Sequence, residues 1–163
     1  IIGVSDPVEA AFDLIIANRG EDTTAYLTIG ADDVACGLRH PAGMVGSDSI
    51  PAPAGAKAHP RLAGTFPRIL AHYVKQEKTL RLEEAVRRMT SAPARRLGIM
   101  DRGLIAPGIG AEFGLVDMDR IVDNATFANP QGRPEGLDMV MVNGEIAVDA
   151  GRVTAAGAGT VLR

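Results

Sequence analysis

His40-Pro41-Ala42-Gly43-Met44-Val45-Gly46-Ser47-Asp48 is the stretch on which the fold turns. Met44-Val45 reads as a short buried strand, two small residues follow, and an acid stands at its carboxyl end. His40-Pro41 stops the element before it, because a residue preceding proline is pushed out of the helical region. That element is a short helix opening at Asp32-Asp33 and running toward Arg39. Earlier still, Thr24 to Ile29 is β-branched and aromatic enough for a strand. At the start of the chain, Asp6 is an N-cap, Pro7 takes the first helical position and Glu9 closes the capping box. Val8, Ala11, Phe12 and Ile15 repeat at helical spacing and predict a buried face. Asn18-Arg19-Gly20 ends that helix, with Gly20 free to adopt the left-handed cap. Helix, strand, helix, strand implies parallel βα units. Barrel enzymes place catalytic groups at the carboxyl ends of such strands, and Gly46 and Ser47 leave room for a close approach. The plainer role for Asp48 is to cap the turn that follows, and spacing alone favours it.

Beyond Asp48, residues 49–61 form a loop rich in Pro, Ala and Gly. Thr65-Phe66-Pro67 opens a helix with Phe66, Ile69, Leu70 and Tyr73 as its apolar stripe. A second helix runs from about Leu82 to Thr90, with Leu82, Ala85, Val86 and Met89 inward and Arg87 and Arg88 outward. Ser91-Ala92-Pro93 breaks it, and a helical turn through Arg95-Arg96-Leu97 stops at Gly98. From Gly103 the pattern changes to short strands: Leu104-Ile105, Gly114 to Val116, Met139 to Val142, Glu145 to Val148 and Arg152-Val153. Asn143-Gly144 is a strong two-residue hairpin signal, and Ala150-Gly151 makes a second tight turn. The fold class is therefore α/β plus β: βα units and exit helices over residues 1–100, then an antiparallel β module over 101–163.

Bulk properties narrow the function. The net charge of −3 and the lack of any Lys/Arg-rich run give no footprint for nucleic acid. No stretch reaches the roughly 18 apolar residues of a membrane span, and no basic segment leads an apolar one as in a signal peptide. The lone Cys36 precludes an internal disulfide and fits a reducing, cytoplasmic setting. Four Phe, two Tyr and no Trp are thin for a self-sufficient core, so burial rests on Ala, Val, Leu and Ile. The apolar opening Ile1-Ile2-Gly3-Val4 reads as the interior of something longer, so the chain is expected to be a fragment. Open sheet edges then predict self-association when it stands alone.

Several blocks carry a resemblance. His40-Pro41, Met44 to Asp48, His59-Pro60-Arg61-Leu62 and Gly64-Thr65-Phe66-Pro67-Arg68 together resemble the N-acyl-D-amino-acid deacylases (D-aminoacylases) of the amidohydrolase superfamily. Met89 to Gly98, Asp101-Arg102-Gly103 and Pro107-Gly108 look like that family's exit from its barrel. Val142-Asn143-Gly144 resembles the sheet domain beside it. The chain departs from the family at Ser49, where a glycine is usual. The resemblance implies the C-terminal part of a TIM-like (β/α)8 barrel followed by a small antiparallel β-sandwich. It also implies a zinc enzyme that hydrolyses N-acyl-D-amino acids to a carboxylate and a free D-amino acid.

Site roles follow from the resemblance. Asp48 matches the aspartate that moves the proton of the attacking water, and joins the metal only together with ligands absent from this chain. Arg61 matches the residue that holds the substrate's α-carboxylate, a task that suits two parallel donors. Ser49 and His59 flank them as substrate-binding candidates. Zinc needs three or four ligands in close array, and three scattered histidines do not supply them. The chain alone is therefore expected to bind no zinc tightly, to be inactive, and to need the remainder of the barrel as partner. Cys36 and His40 share a helical face, but a buried structural cysteine is the commoner outcome. Gly108-Ile109-Gly110 lacks the spacing of a dinucleotide loop and reads as a turn. Two other readings remain beside this one. Another amidohydrolase, dihydroorotase-like, is disfavoured by the His-Pro-Arg and Gly-Thr-Phe-Pro blocks. A non-catalytic interaction module would be compact, without exposed apolar faces at Thr24 to Ile29 and Met44-Val45.

Overall fold

The computed structural model of the chain describes residues 6–21, 28–50, 58–155 and 157–162. Helix α1 spans Pro7–Ala17, and the Asp6 carboxylate accepts the Val8 N–H at 2.8 Å as expected of an N-cap. Gly20 takes the left-handed conformation after it. The predicted apolar face exists but is not covered: Val8, Phe12 and Ile15 are all exposed, and no residue of α1 is buried. Helical periodicity finds an apolar stripe and is silent about whether a neighbour lies on it.

Helix α2 (Ala31–Arg39) starts at Gly30, whose N–H donates to the Asp33 carboxylate at 3.2 Å. Its buried residue is Ala35, and Cys36, expected inside, is exposed. The strand expected over Thr24 to Ile29 lies mostly outside the described residues, and Ile29 itself is irregular and exposed. Met44-Val45 is not a strand. Residues 43–50 form no ladder with a described strand, and Met44 is exposed. The Val45 N–H goes instead to the carbonyl of Arg88 at 3.1 Å. A strand exists by its pairing, and here the backbone donor has found a helix end.

Helix α3 (Arg61–Arg68) begins four residues before the expected start at Thr65. The Thr65 hydroxyl donates back to the Arg61 carbonyl at 2.9 Å, so it braces a turn already formed rather than capping a new one. Pro67 sits inside α3 without an N–H for the carbonyl one turn earlier. Directly after it the helix widens into a π-helical segment, Ile69–Gln76, which carries the centre of the core. Ile69, Leu70, Ala71 and Tyr73 bury there with Leu80, Ala85 and Ile121, and Leu38, Val45, Met89 and Val116 pack around them. Phe66, expected in this stripe, is exposed.

Helices α4 (Leu82–Met89) and α5 (Ser91–Arg96) follow, with Gly98 left-handed at the exit. Ala85 faces the core and is fully buried, whereas Leu82 and Val86, expected inward, are exposed. The inward place belongs to Arg88, which is 3% exposed. Its Nε donates to Glu84 Oε1 at 2.6 Å and its Nη1 to the Leu38 carbonyl. A buried guanidinium is tolerable because each partner is a charge or a carbonyl. Arg87 caps the same carboxylate from outside at 2.7 Å, and the two arginines hold Glu84 down at a pKa of about 2.

The rest is a four-stranded antiparallel sheet in the order β1–β2–β3–β4: Phe113–Val116, Leu137–Val142, Glu145–Asp149 and Arg152–Val153. Asn143 and Gly144 both have positive φ between β2 and β3, as do Ala150 and Gly151 between β3 and β4. Positive φ at both central residues is what a type I′ hairpin requires. Leu104-Ile105 is not a strand but irregular and exposed, and of Gly108-Ile109-Gly110, read as a turn, Gly108 lies in a turn that begins at Pro107 while Gly110 lies beyond it. Gly136, left-handed just before β2, lets the chain lie against Ile121, where a Cβ would come within 2.5 Å of its backbone nitrogen.

Candidate functional site

Asp48 closes the irregular segment that hangs from α4, and Arg61 opens α3. Residues 51–57, which separate them in sequence, fall outside the described residues. The two side chains meet: Arg61 Nη2 stands 3.0 Å from Asp48 Oδ2. Asp48 itself adopts a left-handed φ of 46°, a conformation that aspartate enters more readily than most residues. Its side chain is 81% exposed and that of Arg61 39%. A pair this open contributes at most about 1 kcal/mol to stability, so its importance is in orientation.

His59 anchors the start of α3. Its Nδ1 accepts the Arg61 N–H at 3.1 Å, and its ring meets Phe127 edge-on at 5.1 Å between centroids. The Arg61 Nε is buried and has no hydrogen-bond partner among the described residues. An orphaned buried donor costs about 1–3 kcal/mol. Ser49 does not join the group; its hydroxyl donates to Ser47 at 3.3 Å.

Arg61 and His59 line an open cleft of about 620 Å³ whose walls are largely apolar, among them Leu38, Met44, Ile69 and Phe127. Asp123 enters the same cleft with its side chain only 11% exposed, 3.9 Å from Arg68, its Oδ1 accepting the Ala125 N–H at 3.0 Å. Arg68 also stands over the Tyr73 ring at 5.9 Å. Of the residues singled out from sequence, Asp48, Arg61 and His59 are thus brought together. Asp123 and Phe127 come from more than 60 positions downstream and carry no local signal that would have marked them.

Zinc fits these residues poorly. Among the described residues no three His, Cys, Asp or Glu side chains gather. The three histidines are engaged separately: His40 Nδ1 accepts from Ala42, His59 from Arg61, and His72 bonds Gln76 and Glu77.

Comparison with known proteins gives the geometry its context. The chain is 40% identical over 119 residues to the N-acyl-D-glutamate deacylase of Alcaligenes xylosoxydans xylosoxydans, covering 73% of this chain and 24% of that protein. It is 37% identical over 137 residues to the D-aminoacylase of the same organism, covering 84% and 28%. The N-acyl-D-glutamate deacylase of Bordetella bronchiseptica was solved with zinc and a phosphonate inhibitor that mimics the reaction's tetrahedral intermediate. It superposes with a TM-score of 0.69 at 40% identity, over 73% of this chain and 25% of that one. The chain thus spans about a quarter of the length of these relatives. The sequence pattern of the Amidohydrolase family matches residues 2–148, and the chain belongs to that family.

Proposed function

We propose that this chain forms the C-terminal part of a zinc-dependent N-acyl-D-amino-acid deacylase and carries one proton-transfer group and one carboxylate-binding group of its active site. Residues 1–100 would be the last βα units of a (β/α)8 barrel with their exit helices, and 101–163 part of a β-sandwich beside it. The remainder of the barrel is the partner that completes the site. Zinc belongs to that complete enzyme, with Asp48 joining ligands that the described residues do not supply.

The observation that carries this reading is the Asp48–Arg61 pair at 3.0 Å beside an Arg61 Nε that has no partner among the described residues. Arg61 spends one Nη on Asp48 and keeps donors for a second anion, which suits the α-carboxylate of an N-acyl-amino acid. Asp48, exposed and next to that anchor, is free to take the proton of the attacking water as its oxygen bonds the amide carbon. It returns the proton to the nitrogen as the C–N bond breaks, which yields a carboxylate and a free amine. Membership of the amidohydrolase family and the D-selective deacylases among the relatives support the same substrate class.

The test is release of free amine from N-acetyl-D-amino acids by the complete enzyme, with the L-isomers as control. Asp48→Asn is expected to lower kcat by about 10²–10⁴-fold, the range of a lost general acid–base. A variant that keeps wild-type turnover would remove Asp48 from the reaction, and equal rates on L-substrates would remove the D-selective class.

A further inference from the structure

Asp48 lies on an irregular segment, so something other than a strand ladder must fix its position. The segment from Leu38 to Val45 is held by two consecutive residues at the end of α4. The Arg88 guanidinium donates to the Leu38 carbonyl, the Arg87 Nη2 lies 3.5 Å from the Pro41 carbonyl, and the Arg88 carbonyl accepts the Val45 N–H at 3.1 Å. The guanidinium in turn is fixed by Glu84, 2.6 Å from its Nε. Gly43 is what allows the fit: a Cβ there would stand 2.8 Å from Arg88 Nη1 and 3.1 Å from the carbonyls of Gly37 and His40. Arg88 is thus buried not as a core filler but as a bolt through the segment's middle. From the last bolted residue, Val45, only Gly46 and Ser47 separate Asp48.

We propose that Arg88 is a positioning residue for Asp48, acting through its hold on the Leu38–Val45 segment, with Gly43 as the space it requires. The proposal rests on the reading that Asp48 takes part in the reaction. A buried salt bridge alone can often be replaced by apolar packing without loss of stability; what apolar packing would not supply is a fixed backbone carbonyl. Displacement of a reacting group by about 1 Å costs on the order of 10²-fold in rate, and a loosened 38–45 segment permits such a displacement.

Arg88→Gln and Gly43→Ala, each in the complete zinc-loaded enzyme, test this beside Asp48→Asn. Both are expected to lower kcat about ten- to a hundredfold with KM within about threefold, since Arg61 sits on a different element and keeps its hold on substrate. Combined, they fall no further than the worse single variant, because both undo one contact. If Arg88→Gln does not fold, Gly43→Ala decides, as it removes no side chain. Wild-type kcat in either folded variant, or a loss carried by KM alone, overturns the inference while an inactive Asp48→Asn leaves the site reading standing. A fully active Asp48→Asn removes that reading and the inference with it.

Discussion

Gly64→Ala and Gly37→Ala are the same chemical change on two helices, and the structure assigns them opposite signs. In a helix interior, alanine is favoured over glycine by about 1 kcal/mol because it restricts the unfolded chain. Gly37 in α2 has nothing among the described residues within 4 Å of where an added methyl would stand, so it should receive that gain almost undiminished. Gly64 in α3 is buried, and its Cβ would lie 2.6 Å from Asp123 Oδ1 and 2.8 Å from the Ala125 methyl. Ordinary methyl contacts are near 3.5–4 Å, so the 123–125 segment must retreat by close to 1 Å. Asp123 cannot swing aside freely, because its Oδ1 already accepts the Ala125 N–H. Overpacking of this kind costs about 1–3 kcal/mol, and disturbing that charged hydrogen bond adds about 1 more. After the helix-propensity gain, Gly64→Ala should destabilise by about 1–3 kcal/mol and Gly37→Ala should stabilise by about 0.5–1 kcal/mol. Urea unfolding, read as a shift in midpoint at constant m, measures both. A Gly64→Ala protein as stable as the Gly37→Ala one would refute the close approach of α3 to Asp123 and Ala125.

Three further outcomes are expected. Glu84, held at about 2 rather than its ordinary 4.5 by Arg87 and Arg88, stabilises the fold fully above pH 4.5 and loses that contribution as pH falls toward 2; Glu84→Gln should flatten the pH dependence of the melting temperature across that window, and an unchanged slope would discount the ion pair. Ala150 carries a left-handed φ of 46°, which costs a β-carbon about 1–2 kcal/mol, so Ala150→Gly should raise stability by about 0.5 kcal/mol after the entropy of the unfolded chain is counted, with thermal unfolding as the check. Arg61→Lys should raise KM at least about tenfold in the complete enzyme, because a single ammonium cannot serve Asp48 and a second carboxylate in two directions; an unchanged KM would take Arg61 out of substrate binding.

What the sequence made legible was whatever local chemistry decides. Asp6-Pro7 marks the start of α1, Gly98 the end of α5, and Asn143-Gly144 and Ala150-Gly151 the two hairpins. Each is a case in which one or two residues fix their own φ or satisfy their own backbone donors. Asp48, Arg61 and His59, singled out through the order of the motif blocks rather than through periodicity, do come together in space. Most of the misreadings concern neighbours that periodicity cannot see. Arg88 looks like a solvated charge until the carbonyl of Leu38, fifty positions earlier, is found beneath it. Val8, Phe12 and Ile15 form an apolar face that no described neighbour covers. Proline in Thr65-Phe66-Pro67 suggested a helix opening, yet the turn from Arg61 had already formed. Asp123 and Phe127 reach the cleft only through tertiary packing, so no spacing announces them.

The π-helical segment Ile69–Gln76 also sets how this stretch of chain tolerates length changes. Each residue of an α-helix turns the axis by about 100°, and a π turn holds one residue more than an α turn. Removal of a single residue there would let the segment rewind as an ordinary helix without breaking it. The helix after the deletion would keep its own internal hydrogen bonds yet point elsewhere, and the contacts it makes beyond itself would break: Lys75 would leave the Asp119 carbonyl 2.7 Å away, and the Tyr73 carbonyl would lose the paired N–H groups of Thr79 and Leu80. The same deletion in the exposed loop around Ile105 would be absorbed silently. Between Ile69 and Gln76 the chain is therefore counted, residue by residue, whereas at Ile105 only its ends matter.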